Sequence, residues 1–437
     1  MALAHAESYG LPGLPSPNAI LGIAIGKAEV IRAASPSFVD VSSAVSRAKA
    51  GDTVIVPAGS ADWGANHIST TKALSIIGAG IGLTNITATG TYVFQFLPDA
   101  PTVASDEKVR VSGFTINGNY HGPTNPVYIE HHSSSIMHNF IVDHINFYHT
   151  VEGISVVGNI YGVGYQCHFE YTDPSAGIRD CMIFLRAIGN NGESWDDHHV
   201  DPASPYGHGD NFFLEDCTFE GNHWCEAGHG GRYVLRHNAF NNFNTIQAFD
   251  AHGNQPGLLY STIVSEIYEN KFTNAQRSFE MFTFRGGRNL CYNNVVTGVP
   301  AVSNCWNKTY DDYIDDPAQW PVAHPVLEIM TPMDHYSWGN RANGTMFNMW
   351  LPPQTAPGGY PDPGGKLGEN KTFWNEQTSF NGTVGVGVGP LSSRPATCKT
   401  GVAYWATDTK TLCRATASNT WSVYYTPYTY PHPLRNK

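Results

Sequence analysis

Short alternating strands recur along this chain at a spacing near 22 residues, and that recurrence restricts it to a β-solenoid. From about residue 109 the segments VRVSGFTING, FIVDHINFYHT, YQCHFEY, NFFLEDCTFEGN, RYVLRHNAFNN, SEIYENKFTNA and NLCYNNVVTG follow one another. Their closing apolar residues are Phe147, Phe169, Phe219, Phe240, Phe272 and Val296, separated by 22, 50, 21, 32 and 24 residues. The longer gaps equal one or two coils plus an inserted loop. No helical period separates the strands, so each unit is one turn of a solenoid that buries its apolar face by stacking on its neighbours. Two residues before the anchors stand Cys167, Cys217, Asn238, Asn270 and Asn294. Stacked asparagines at a bend are expected to pass amide hydrogen bonds from coil to coil, satisfying backbone groups that a tight turn leaves open. Cys167 and Cys217 are expected in the same core stack rather than in a disulfide.

The rest of the chain divides around this repeat. Residues 1–36, rich in Pro, Gly and Ala, read as an N-terminal arm or first strand. Residues 39–50 suit a short amphipathic helix that caps the solenoid, and the β-branched run 53–59 returns one turn later at 73–78. The parallel β-helix is expected over 37–300, where the repeat fades. Residues 301–437 form an irregular, β-rich region full of Pro, Gly, Trp and Tyr, with a small β insert at about 384–423. The eight cysteines include no CxxC, which argues against a zinc ribbon or thioredoxin-like site. Cys398 and Cys413 flank a hairpin-like segment and could pair in an oxidising compartment.

Charged residues make up 14% of the chain, against about 25% in an average domain. Asn, Ser, Thr, Gly and Tyr supply much of the polar surface, a profile that suits a turn-rich β protein outside the cell. The formal charge of −12 argues against nucleic acid as a partner. It also means that any acidic glycan would need local Arg or Lys. No apolar run is long enough for a membrane span. The N-terminus lacks the basic and long apolar regions of a standard signal peptide. The expected location is therefore extracellular, either secreted with a leader already removed or borne on a virion surface. Five N-x-S/T sequons, at Asn85, Asn307, Asn343, Asn370 and Asn381, are near chance for this composition.

A second recurrence marks the candidate site. His208 and His229 sit in His-Gly pairs eleven residues before Phe219 and Phe240, and Arg285 precedes Val296 by the same distance. His252 joins them if about nine residues around 254–257 loop out before Phe272. One position further along, Asn211, Arg232 and Arg288 align, with Val264 breaking the series. Coils lie roughly 4.8 Å apart, so four members span on the order of 14 Å, comparable to two or three sugar units. His229, His252, Arg285 and Arg232 are the candidate catalytic residues. Crowded imidazoles beside Arg285 stay neutral near pH 7 and can accept protons. A neutral His that takes a C5 proton, beside an Arg that offsets carboxylate charge, suits β-elimination from a uronate. His208, Asp210, Glu226, Asp250, Glu280 and Arg288 are the candidate substrate-binding residues. Hydrolysis would instead need two carboxylates facing one groove, drawn from Asp210, Glu226, Asp250 and Glu280. The alternative is that each His-Gly pair is a turn and the column a structural ladder. No metal site is assigned. The loop from Trp195 to Asp201 concentrates acidic and His groups, and its oxygen ligands would favour calcium.

Within 38–87 the runs AGDTVIVPAGSADW and IIGAGIG resemble the opening of right-handed parallel β-helix proteins of the pectate-lyase-like superfamily. HGGRYVLRHNAF, FDAHG, SEIYENKF, FRGGRN and the ending YTPYTYPHPL are similar to uncharacterised bacterial and phage members of that group. The insert GVAYWATDTKTLCRATASNTW looks like small β modules of phage tail proteins. The resemblance implies an all-β, right-handed parallel β-helix, and its known lyases use Arg or Lys as base, often with calcium held by carboxylates. This chain shows no clear carboxylate cluster at one register. The expected function is a glycan-binding, polysaccharide-degrading β-helix, lyase ahead of hydrolase, with a polysaccharide or cell-surface glycan as partner. The alternative is a non-catalytic spike or fibre subunit, a homo-oligomer packed through its edges and C-terminal aromatics.

Overall fold

The computed structural model describes residues 28–120, 122–131, 135–171, 181–186, 206–221, 224–228, 230–242, 247–251, 262–274, 279–299, 305–309, 333–351 and 367–437. They form a parallel β-helix with three faces. The first face runs from Val30–Arg32 and Thr53–Ile55 through Ile160–Tyr165, Phe212–Glu215, Arg232–Arg236, Val264–Tyr268 and Arg288–Tyr292. The second includes His168–Tyr171, Thr218–Gly221, Ala239–Asn241 and Lys271–Thr273. Val109–Asn117 and Met137–Tyr148 cross the corner between these two faces without interruption. The third face is a separate parallel sheet of ten strands from Ile68–Thr70 to Met349–Trp350 among the described residues. The N-terminal cap is the helix Phe38–Arg47, begun by Ser37, whose side chain accepts from the Asp40 N–H. Parallel pairing does not stop at residue 300, where the repeat fades in the sequence. His335–Trp338 pairs with Arg288–Tyr292, and Phe373–Asn375 pairs with His335–Trp338.

The anchor residues stack as the period requires. Phe147, Phe169, Phe219, Phe240 and Phe272 lie ring on ring, with successive centroids 4.8, 4.6, 4.3 and 4.6 Å apart. Two residues earlier, at the corner between the first and second faces, the asparagines form a ladder. The Nδ2 of Asn238 donates to Oδ1 of Asn270, Asn270 to Asn294, and Asn294 to Asn340, each at 3.0 Å. The same Nδ2 atoms also donate to the carbonyls of Leu214, Leu235 and Ile267. Each Oδ1 additionally accepts the backbone N–H of the residue one coil before it. Cys217 and Cys167 continue the line as free, buried thiols.

A second apolar core lies outside the coils. Tyr268, Tyr292 and Trp338 stack along the outer side of the first face at 4.6 and 4.4 Å. A four-stranded sheet, Val386–Gly389, Ala403–Ala406, Thr411–Ala417 and Thr420–Tyr425, covers them, with the Trp405 ring 5.1 Å from Trp338. Beyond it the C-terminal tail runs back along the same face. Tyr425 Oη donates to Glu266 at 2.9 Å, and Arg236 donates to the carbonyls of Tyr428 and Thr429 at 2.7 and 2.8 Å. Arg236 also pairs with Glu215, and both side chains are fully buried. Glu215 in turn accepts from the His432 N–H and from Arg435. Lys108 reaches the Lys437 carbonyl at 3.0 Å. Cys398 and Cys413 belong to this module and do not pair as the sequence suggested. Both are free and buried, with Cys413 inside the strand Thr411–Ala417 opposite Tyr404 and Val423.

Two outcomes follow from this packing. Replacing Asn270 by Ala strips the Asn238 N–H and the Leu235 carbonyl of their partners, and is expected to cost about 3 kcal/mol in denaturant unfolding. A loss below about 1 kcal/mol would mean that the ladder does not hold the corner. Acid is expected to loosen the fold through two histidines, since burial pushes His335 and His432 down to about 4. The folded state keeps them neutral while the unfolded chain protonates them, so stability falls as pH drops from about 6.5 towards 4, by up to roughly 3 kcal/mol each. Melting temperatures of the double variant His335→Gln, His432→Gln should be flatter across that window than those of the native chain.

Candidate functional site

Alternation on the third face sends one set of side chains into the core and the other outward. Val127, Ile129, Ile154, Val156, Cys225, Phe249 and Phe282 point into the core. The residues between them fall into files set by register. One file is Gln95, Tyr128, Ser155, Phe184, Glu226, Asp250, Thr283 and Lys308. Two residues further along lie Glu130, Val157, Arg186 and Gly228. The stretches 172–180, 187–205, 252–261, 310–332 and 352–366 lie outside the described residues.

Asp250 is the centre of this wall. Its side chain is 1% exposed, and Arg285, 11% exposed, grips both carboxylate oxygens, with Nε donating at 2.9 Å and an Nη donating to the second oxygen. A bidentate pair of this kind fixes the guanidinium plane and offsets the cost of burying either charge. Glu226 occupies the position paired with Asp250 one strand earlier. Its side chain, like that of Glu280, is not among the described features. His229 and His252 lie outside the described residues. Ala227, Ala251 and Phe284 are paired at the end of these strands, and Arg285 follows directly.

The remaining candidates stand elsewhere. Arg232, Val264 and Arg288 are in register on the first face, and Asn211 immediately precedes Phe212, the partner of Tyr233. Arg232 and Arg288 are buried, and Arg288 Nε lies 3.5 Å from Asp334. His208 is exposed in the segment that leads into Phe212–Glu215, whose Gly207 N–H donates to Glu266. Asp210 faces His138, with Oδ1 3.4 Å from Nε2, while the other ring nitrogen of His138 is 3.2 Å from Asp106. Of the candidates whose side chains are described, Asp250 and Arg285 meet on the third face, whereas Arg232 and Arg288 lie on the first.

Sequence reasoning passed over the upstream part of the third face. Tyr92 and Tyr128 meet at 4.9 Å, and burial, then Glu130 and Glu152, pushes the Tyr92 hydroxyl up. Ser155 donates to Asn125 at 2.6 Å and to Glu152 at 3.0 Å. Alternation in VYIEH was the available signal. Tyr120 and His149 were also missed; the Tyr120 hydroxyl and His149 Nε2 are 2.6 Å apart at the opposite edge of this face. Among the described residues no three His, Cys, Asp or Glu side chains come together to hold a cation.

No protein-family model and no curated protein matches the chain. Solved structures do. An alginate lyase from Paenibacillus sp. strain FPU-7 covers 74% of this chain and 97% of its own, at 12% identity and a TM-score of 0.40. ORF18 of Geobacillus virus E2 covers 72% of this chain and 58% of its own, at 12% identity and 0.28. The A-module of the Azotobacter vinelandii mannuronan C-5 epimerase AlgE4 covers 68% and 88%, at 11% identity and 0.26.

Breaking the central ion pair tests how the wall is held. Arg285→Met leaves a buried carboxylate unpaired and is expected to cost about 3–5 kcal/mol, whereas Asp250→Asn with Arg285→Met should cost clearly less. Equal losses in the single and double variants, read from urea midpoints, would show that the two residues act independently.

Proposed function

We propose that this protein binds a polysaccharide along the outer side of the third face and cleaves it, by β-elimination in preference to hydrolysis. The Asp250–Arg285 pair carries the reading, because it fixes a guanidinium on this wall. His252 and His229, assigned to the same column from the sequence, would take the C5 proton, and Arg285 would hold the uronate carboxylate as charge builds on it. Asp250 orients Arg285 and does not touch substrate. Glu226 and Glu280, on the same sheet, would bind sugar hydroxyls. Hydrolysis ranks second because Asp250, buried and committed to Arg285, is badly placed to protonate a leaving group. We place the protein outside the cell, secreted or on a virion.

One observation favours the second reading, a non-catalytic structural or adhesive β-helix. The described arginines of the candidate set, Arg232, Arg285 and Arg288, are nearly or fully buried, as structural arginines are.

Incubation with uronate glycans separates these readings. Elimination creates an unsaturated end group with new ultraviolet absorbance, whereas hydrolysis creates reducing ends without it. Loss of the proton acceptor in His252→Ala is expected to lower kcat by about 10²–10⁴-fold at unchanged fold. Full activity in the triple variant His229→Ala, His252→Ala, Arg285→Ala would remove this wall as the site. Specific binding with no turnover on any uronate or neutral glycan would favour the adhesive reading.

A further inference from the structure

A guanidinium stays charged at any ordinary pH, so burying one demands an anion or a full set of acceptors. Three arginines are buried among the described residues, Arg232, Arg236 and Arg288. Arg236 holds Glu215 at 2.7 Å, and Arg288 has Asp334 at 3.5 Å. Arg232 is the exception. It is 8% exposed and forms no ion pair with any described carboxylate; its Nε, like that of Arg288, has no hydrogen-bond partner, and its charge acts on the Tyr161 hydroxyl and on Glu266. Glu266, a buried carboxylate on which its charge acts, is already engaged, one oxygen by the Gly207 N–H at 2.7 Å and the other by Tyr425 Oη at 2.9 Å.

The neighbours of Arg232 complete a small site. One coil earlier in the same file is Asn211, fully buried, whose Nδ2 donates to the His208 carbonyl while its Oδ1 lacks any donor. One coil before that is Tyr161, over whose ring the guanidinium carbon sits at 5.9 Å. On the other side Val264 closes the file with no polar atom. An orphan donor on a cation, next to an orphan acceptor, is a pairing that neither satisfies alone. Each orphan is costly to bury, the charged one more so, unless a ligand satisfies it. Half-exposed Asp210, with His138 at 3.4 Å, marks the side where solvent reaches.

We propose that Arg232, Asn211 and Tyr161 bind a small oxyanion that carries a hydroxyl group. The oxyanion takes the guanidinium N–H donors, and the hydroxyl donates to Asn211 Oδ1. Hydroxy-carboxylates and monoprotonated phosphate share this chemistry; sulfate has the charge without the hydroxyl. The site does not rest on the third-face reading. It lies on the first face, beneath the segment 206–211 that packs against Tyr428 of the C-terminal tail, so its occupant would brace that tail.

Calorimetric titration and thermal melts of the full chain at pH 6.5 test it, with gluconate, phosphate and sulfate as probes. Gluconate or phosphate should bind more tightly than sulfate and raise the melting temperature by about 3 °C at a hundredfold excess over Kd. Arg232→Met should abolish binding of all three, yet melt no lower than the native chain without anion, because an unpaired buried charge has been removed. Asn211→Ala should keep sulfate binding and lose the preference for hydroxyl-bearing anions. Binding of gluconate alone, or of phosphate alone, assigns the source of the ligand. Equal responses in the native chain, Arg232→Met and Arg288→Met would reduce the effect to general salting and overturn the site. No heat and no shift with any probe would overturn it too.

Discussion

The corner between the first and second faces is the constraint on which the rest of this molecule hangs. At each coil one residue turns left-handed, including Gln166, Asp216, His237, Glu269 and Asn293, none of them glycine. Such a conformation costs roughly 1–2 kcal/mol per residue. The amide ladder offsets it, since each asparagine side chain serves the backbone on both sides of the bend and its neighbour in the next coil. The ladder permits no slip. A shift of one residue would move every Asn out of line with the next and turn the stacked Phe rings outward. Register on all three faces is therefore inherited from one bend, and the polar files on the outer walls exist because that bend repeats.

The outer walls then take different fates. The first face is covered by the C-terminal sheet and tail, and its polar residues become internal. Glu215, Arg236 and Glu266 sit beneath Tyr425, Tyr428 and His432, each committed to a partner that lies about 160 to 220 residues away in sequence. Buried charges of this kind add little net stability, but breaking one partner is costly, so they dictate where the tail docks. Among the described residues no strand of the third face pairs with the C-terminal sheet. Its central carboxylate is held by an arginine from the next coil.

What could be read in advance follows the same logic. The anchors Phe147 to Phe272 and the asparagines Asn238, Asn270 and Asn294 were legible because each lies within one coil of its partner. The file Arg232, Val264, Arg288 was legible for that reason as well. Their burial was not, because the groups around them come from distant parts of the chain: Arg288 lies 3.5 Å from Asp334, which Arg414 holds in turn. The continuation of the coils to Phe373–Asn375 was hidden by the long stretch between Thr309 and Met333, which breaks the period before His335–Trp338 restores it. The histidine column was counted from anchors on the second face, across a bend with loops of unequal length. Of its members, His229 and His252 lie outside the described residues.

Arg232 and Arg285 were indistinguishable as letters, and the fold gives them opposite circumstances. Arg285 meets a carboxylate on the adjacent strand, so its charge is neutralised and its plane is set; what it can do is orient. Arg232 lies in register with Asn211 and Val264 and over the Tyr161 ring, and no described carboxylate forms an ion pair with it. A chain of formal charge −12 repels anions at a distance. Attraction must then be local, exerted within the Debye length of about 8 Å by a cation that no carboxylate of the protein has already claimed. Of the buried arginines described, Arg232 meets that condition, and the orphan oxygen of Asn211 beside it adds a geometric filter that charge alone lacks.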